Sequence, residues 1–182
     1  MHQHLSDVFQ TLDSSRAALR TAFAAVPAPL RRVRPAEDRW SAVEIIEHLS
    51  LVEGRFTAMI EGALNAAVER GLPAETADRI PLPQQVDERM RDRVNRRNAP
   101  DPAKPTGQLD EATAWAAADR ARETFRRTVL KGDGLALSSV SHAHPFFGEL
   151  TIYQWVELIA GHEQRHVQQL RELPAALAAH SA

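Results

Sequence analysis

Leu158-Ile159-Ala160-Gly161-His162-Glu163-Gln164-Arg165-His166 places two histidines four positions apart. On an α-helix, side chains at i and i+4 leave the same face, so both imidazoles can grip one ion. The surrounding spacing is helical. Trp155, Ile159, His162, His166 and Leu170 follow one stripe, which predicts a helix from a cap at Thr151 to a stop at Pro174. Gln154 completes a capping box with Thr151, and Leu150 is placed to staple onto Trp155. Glu163, Gln164 and Arg165 fall off the ligand face and read as surface or interface positions. Such a histidine pair is common on exposed helices, so its meaning depends on a third ligand.

That ligand comes from a second helix with the same opening pattern. Ser41 and Glu44 form a capping box, Trp40 and Ile45 a staple, and Ile45, Leu49, Val52, Phe56, Met59, Ile60, Ala63 and Ala67 the apolar stripe. His48 lies between Ile45 and Val52 on that stripe, so it faces inward. Gly71 and Pro73 end this helix. At about 1.5 Å per residue, His48 sits about 10 Å beyond Ser41, and the midpoint of His162 and His166 about 13 Å before Leu173. The levels coincide if the two helices are antiparallel.

Two further helices complete the fold. Leu5, Val8, Phe9, Leu12, Leu19, Phe23 and Val26 form a stripe over residues 4 to 26, ended by Pro27 and Pro29. Trp115, Ala118, Phe125 and Val129 mark a third helix over about 110 to 131, capped by Asp110 and stopped at Gly132. Between the second and third helices, residues 71 to 108 contain prolines at 73, 81, 83, 100, 102 and 105, with a short polar helix suggested over 84 to 98. So long a link suits a crossover to a parallel neighbour. No useful length alternates with period two. The expected fold is therefore all-α: a four-helix bundle, up-down-down-up, with the long crossover between helices 2 and 3.

Composition bounds the function. The 182 residues read as a single domain, 1–182, and the net charge of −2 gives no general attraction to nucleic acid or anionic membranes. The basic runs Arg31-Arg32-Val33-Arg34 and Arg89 to Arg97 lack interleaved aromatics and read as solvated faces. Neither a membrane-length apolar run nor a signal-peptide pattern is present, so a cytoplasmic protein is expected. With no cysteine, a metal must be held by His, Asp or Glu. Arg122, like Arg16, lies on an apolar stripe, where it either snorkels to water or lines a pocket and holds an anionic ligand group. His142 and His144, in Ser-His-Ala-His-Pro, fit metal chemistry by residue type but read as loop residues. Glu44, one turn before His48, is explained by capping, although it could also orient His48.

Arg39-Trp40-Ser41-Ala42-Val43-Glu44-Ile45-Ile46-Glu47-His48-Leu49, His144-Pro145-Phe146-Phe147-Gly148-Glu149-Leu150-Thr151 and Gly161-His162-Glu163-Gln164-Arg165-His166 resemble, in that order, the motifs of the DinB-like superfamily of metal-dependent bundles. The resemblance implies an up-down-down-up bundle, often a homodimer, with His48, His162 and His166 at the ligand positions. It also implies a divalent metal, with zinc or nickel foremost and iron or copper compatible, and a small-molecule substrate. Similar proteins include bacillithiol S-transferases and a mycothiol-dependent isomerase, so a low-molecular-weight thiol is an expected co-substrate. An ion on three neutral imidazoles keeps its charge and lowers the pKa of a bound water or thiol, which suits a thiol S-transferase or hydrolase. No catalytic base is assignable. The competing class is a non-catalytic module that binds a ligand or partner and uses the metal as a staple.

Overall fold

The computed structural model describes residues 1–77, 81–92 and 98–180. Five helices order it: α1 (Gln3–Ala24), α2 (Ala42–Glu69), α3 (Gln84–Arg91), α4 (Glu111–Leu130) and α5 (Ile152–His180). The strands β1 (Ser141–His144) and β2 (Gly148–Thr151) pair antiparallel just before α5.

Cross-helix contacts fix the directions. His4 stacks on Tyr153 and Ser15 donates to Glu163, so α1 and α5 run parallel. Glu53 pairs with Arg122 and Glu61 with Lys131, so α2 and α4 run parallel. Asp13 meets Arg126 while Arg20 meets Asp119, which sets α1 against α4. Phe56 packs on Trp155, and His48 near His162, which sets α2 against α5. The long helices are thus up, down, down and up, with the crossover from α2 to α4.

The starts of α2, α4 and α5 follow from their caps. Ser41 Oγ accepts from the Glu44 amide while Glu44 accepts from the Ser41 amide, a complete capping box. Thr151 and Gln154 make the same exchange at the start of α5. At α4, Asp110 accepts from the Thr113 amide. Each cap satisfies donors the first turn cannot pair internally.

Three expectations need correction. Pro174 does not end α5, which continues to His180. A proline inside a helix costs about 3 kcal/mol, yet Leu173 and Leu177 on either side of it are buried with Leu170 and Val167, and burying one leucine returns roughly 1.5–3 kcal/mol. The apolar stripe outweighs the break. The short polar helix closes at Arg91, and residues 93–97, which include the end of the second basic run, lie outside the described residues. His142 and His144, read as loop residues, lie on the hairpin formed by residues 141–151. Each strand has only four residues, too short for alternation to stand out. Pro145 opens its turn, and Gly148 closes it at φ +75°, a left-handed conformation that favours glycine.

Arg122 and Glu163 are also relocated. Arg122 neither snorkels to water nor lines a pocket: it is buried between Glu53 and Glu163 and donates to the Leu12 carbonyl. Glu163 is 1% exposed and also accepts from Ser15 and Arg16. Arg16 reaches Glu53 as well. One residue from each of the four long helices thus meets in a buried network of two arginines and two glutamates, which Arg16 extends outward to the exposed Asp119. Replacing one member of such a buried set leaves an uncompensated charge. Glu163→Ala is expected to lower the unfolding free energy by about 3–5 kcal/mol in urea denaturation. A loss below about 1 kcal/mol, as for a surface glutamate, would show that the network is not formed in solution.

Candidate metal centre

The antiparallel crossing of α2 and α5 brings His48, His162 and His166 together. One nitrogen from each lies within 4.8 Å of the other two. Ring centroids stand 5.3 Å apart for His48 and His162, 5.0 Å for His48 and His166, and 4.7 Å for His162 and His166. His48 and His166 are buried, whereas His162 keeps partial exposure.

The hydrogen bonds determine which nitrogens are free. His48 Nδ1 lies 2.6 Å from the Ala103 carbonyl, which can only accept, so Nδ1 carries the hydrogen and Nε2 the lone pair. His166 Nδ1 donates to Gln169 Oε1 at 3.0 Å, again leaving Nε2 as the lone pair. That Nε2 faces His162 Nε2 at 3.2 Å. In the metal-free protein a hydrogen on His162 Nε2 would bridge the two, and a cation bound there would take its place. Around a tetrahedral ion with bonds of about 2.0–2.1 Å, neighbouring nitrogens would stand roughly 3.4 Å apart. The donor set therefore fits an ion that prefers imidazole.

The surroundings favour neutral imidazoles. Burial pushes the His48 pKa down to about 4, against a smaller upward pull from the Ala103 hydrogen bond. Burial likewise holds His162 and His166 well below the ordinary histidine range, aided by their proximity to other histidines and to Arg165. Neutral imidazole is the form that ligates.

The crossover supports this site. Glu47, beside His48, accepts from the Thr106 amide, the Thr106 hydroxyl and the Gly107 amide, and so ties residues 106 and 107 to α2. The Ala103 carbonyl is thereby held close to His48. Trp40 does more than staple the helix start: its indole lies 4.5 Å from the His48 ring and 6.3 Å from that of His166. Glu44 is taken up by the cap and by a multiple hydrogen bond to Arg34, so it does not orient His48. Gln169 was readable as a neighbour of His166 at i+3. Ala103 was not, because a backbone carbonyl leaves no side-chain signature.

His142 and His144 stand on β1, outside the group of three. The His142 carbonyl accepts from the Trp155 indole. His144 is buried in an aromatic setting, its ring 5.5 Å from Phe56, 4.6 Å from Phe147 and 5.1 Å from Trp155.

A model of the DinB superfamily matches residues 11–170. The uncharacterized protein YuaE of Bacillus subtilis (strain 168) is 28% identical over 153 residues, spanning 77% of this chain and 80% of its own length. The crystal structure of TT2238, a four-helix bundle protein, matches with a TM-score of 0.60 at 20% identity, covering 92% of this chain and 98% of that one. At that identity the likeness establishes the fold.

The neutral histidines make stability depend on pH. Unfolded, His48 takes a proton near its ordinary pKa of about 6.5, whereas folded it resists protonation down to about 4. Its contribution is complete above 6.5 and is lost as pH falls, which amounts to about 3 kcal/mol by pH 4. Chelator-treated protein is expected to lose stability across that window. His48→Gln should flatten the slope by that share in denaturant titrations at successive pH values, and an unchanged slope would contradict the assignment.

Proposed function

The chain belongs to the DinB superfamily, and on that premise we propose that it holds one divalent metal ion on His48, His162 and His166 and acts on a small-molecule substrate as a thiol S-transferase or hydrolase. The observation that carries this reading is the set of three inward imidazoles between α2 and α5, each with a nitrogen within 4.8 Å of the other two. Among the described residues the converging group contains three ligand-type side chains and no carboxylate. Structural zinc sites usually fill four positions with protein ligands, whereas catalytic sites use three and leave one open. Such an ion, when bound, supplies positive charge that makes a coordinating water or thiol more acidic.

The protein's own groups prepare the site. Ala103 and Gln169 fix the tautomers of His48 and His166, which keeps Nε2 available. Trp40 packs over both rings and shields that side from water. Access is left at the His162 edge. Zinc and nickel lead among the candidate ions, with iron and copper compatible with imidazole ligands. A low-molecular-weight thiol is the proposed co-substrate, and a cytoplasmic homodimer the proposed working form.

Elemental analysis of protein purified without chelator or affinity tag tests the reading. About one ion per chain is expected in the wild type, with a loss of roughly tenfold or more in His48→Ala. His142→Ala should retain its metal. Equal metal content in wild type and His48→Ala would refute the site. Metal-loaded protein that turns over no panel of low-molecular-weight thiols with electrophiles, and hydrolyses no ester or amide substrate, would leave the non-catalytic module as the function.

A further inference from the structure

The short helix α3 owes its place to α5. It has eight residues and no side chain caps its start, and a helix of that length is marginal on its own. Val86 and Met90 bury it against the core. Among the described residues, polar ties from α5 then hold the segment over residues 81–92. The Gln154 side-chain amide donates to the Pro81 carbonyl at 3.1 Å, and Glu157 accepts from the Leu82 amide at 2.6 Å. Arg165 donates to the Met90 carbonyl at 3.3 Å and to the Asp92 carbonyl. Gln154, Glu157 and Arg165 share one stripe of α5, and α3 lies along it. The tie from Arg165 is the one that closes the last turn of α3.

Arg165 is also a neighbour of the metal centre. It follows His162 by three residues and directly precedes His166, so its stem starts within one helical turn of two of the three imidazoles. Its positive charge pushes the pKa of both rings down. A fixed cation that disfavours one proton on these rings disfavours a divalent ion among them more strongly. Arg165 is partly exposed and its stem is long, so the repulsion is relieved when the guanidinium swings out to water. That movement gives up the carbonyls of Met90 and Asp92. Conversely, while Arg165 holds those carbonyls, its charge is kept beside the histidines.

We infer that α3 is a latch: its last turn, residues 90–92, is held by Arg165 and is loosened when a divalent ion occupies the three-histidine centre. Docking of α3 and loading of the site oppose each other through one side chain, and the coupling is reciprocal. The latch lies on the side of His162, the partly exposed member of the three, so its release widens the approach to a loaded centre. This inference rests on the metal reading above, and its test separates the two.

The test uses the full chain with zinc as the probe. Hydrogen exchange read by mass spectrometry compares the metal-free and zinc-loaded protein. In wild type, zinc should speed exchange over residues 84–92 about fivefold or more, the lower end of ordinary coupling. In Arg165→Gln and in His48→Ala, zinc should leave that rate unchanged. Zinc affinity is measured by competition with a chromophoric chelator. Arg165→Gln removes the repelling charge and should bind about fivefold or more tightly. Val86→Ala loosens α3 from its own side with no change of charge, and should also bind zinc more tightly, whereas mere damage to the fold would weaken binding. Exchange that zinc leaves unchanged or slows in wild type, or speeds equally in His48→Ala, overturns the latch and leaves the metal reading intact. So does a zinc affinity that fails to rise in Arg165→Gln or in Val86→Ala. Wild type that binds no zinc overturns both.

Discussion

The buried ion-pair network of Arg16, Glu53, Arg122 and Glu163 is the constraint on which the rest of the structure depends. Apolar stripes tell each helix which side to bury but tolerate small rotations and slips. Buried charges do not, because a glutamate removed from water must find its arginine. With one member on each long helix, the network is satisfied at one axial register and one set of rotations. Glu163 follows His162 directly, so the two side chains leave α5 about 100° apart. Once Glu163 is committed to Arg16 and Arg122, His162 is turned towards α2. Glu53 likewise fixes the rotation of α2, and with it the direction of His48 five residues earlier.

That coupling explains what could be read from the sequence. The four long helices, the capping boxes of α2 and α5 and the parallel pairing of α2 with α4 were legible, because each depends on local chemistry or on linker length. The meeting of His48 with His162 and His166 was legible from their inward positions on antiparallel helices, whereas the count of helix rise started from Leu173, which α5 runs past to His180. Glu163 was not. It does lie off the ligand face, but a helix buried on two sides has no obligation to expose its second face, and single-helix periodicity cannot tell a charged core position from a surface one. Arg122 shows the same limit: its inward position was evident, while its partners on other helices were not. Pro174 marks another boundary, where a local stop signal is overruled by the tertiary packing of Leu173 and Leu177.

Two electrostatic environments therefore sit side by side in one bundle. The network holds full charges compensated within a few ångströms. The seam between α2 and α5 instead holds imidazoles that burial keeps uncharged. Separation matters, because a free carboxylate among the histidines would favour their protonated form and compete with an ion for them. Both nearby glutamates on α2 are already engaged, Glu44 by Arg34 and its own cap, Glu47 by the backbone of the crossover. The loop that joins the parallel helices thus serves the site twice: it occupies Glu47 and supplies the Ala103 carbonyl to His48.

The hairpin is integrated into the bundle in the same way. Thr151 is both the last residue of β2 and the cap of α5, so no flexible linker separates the strand pair from the helix that carries His162 and His166. The Trp155 indole donates to the His142 carbonyl, which ties β1 to the first turn of α5 from the other side. With strand register pairing His144 to Gly148, and with Gly148 in the left-handed conformation that closes the turn, the imidazole of His144 is oriented by backbone geometry rather than by side-chain packing alone. A hairpin mounted this rigidly holds its turn at one level of α5, so the strand pair and the helix that carries His162 and His166 move as one unit.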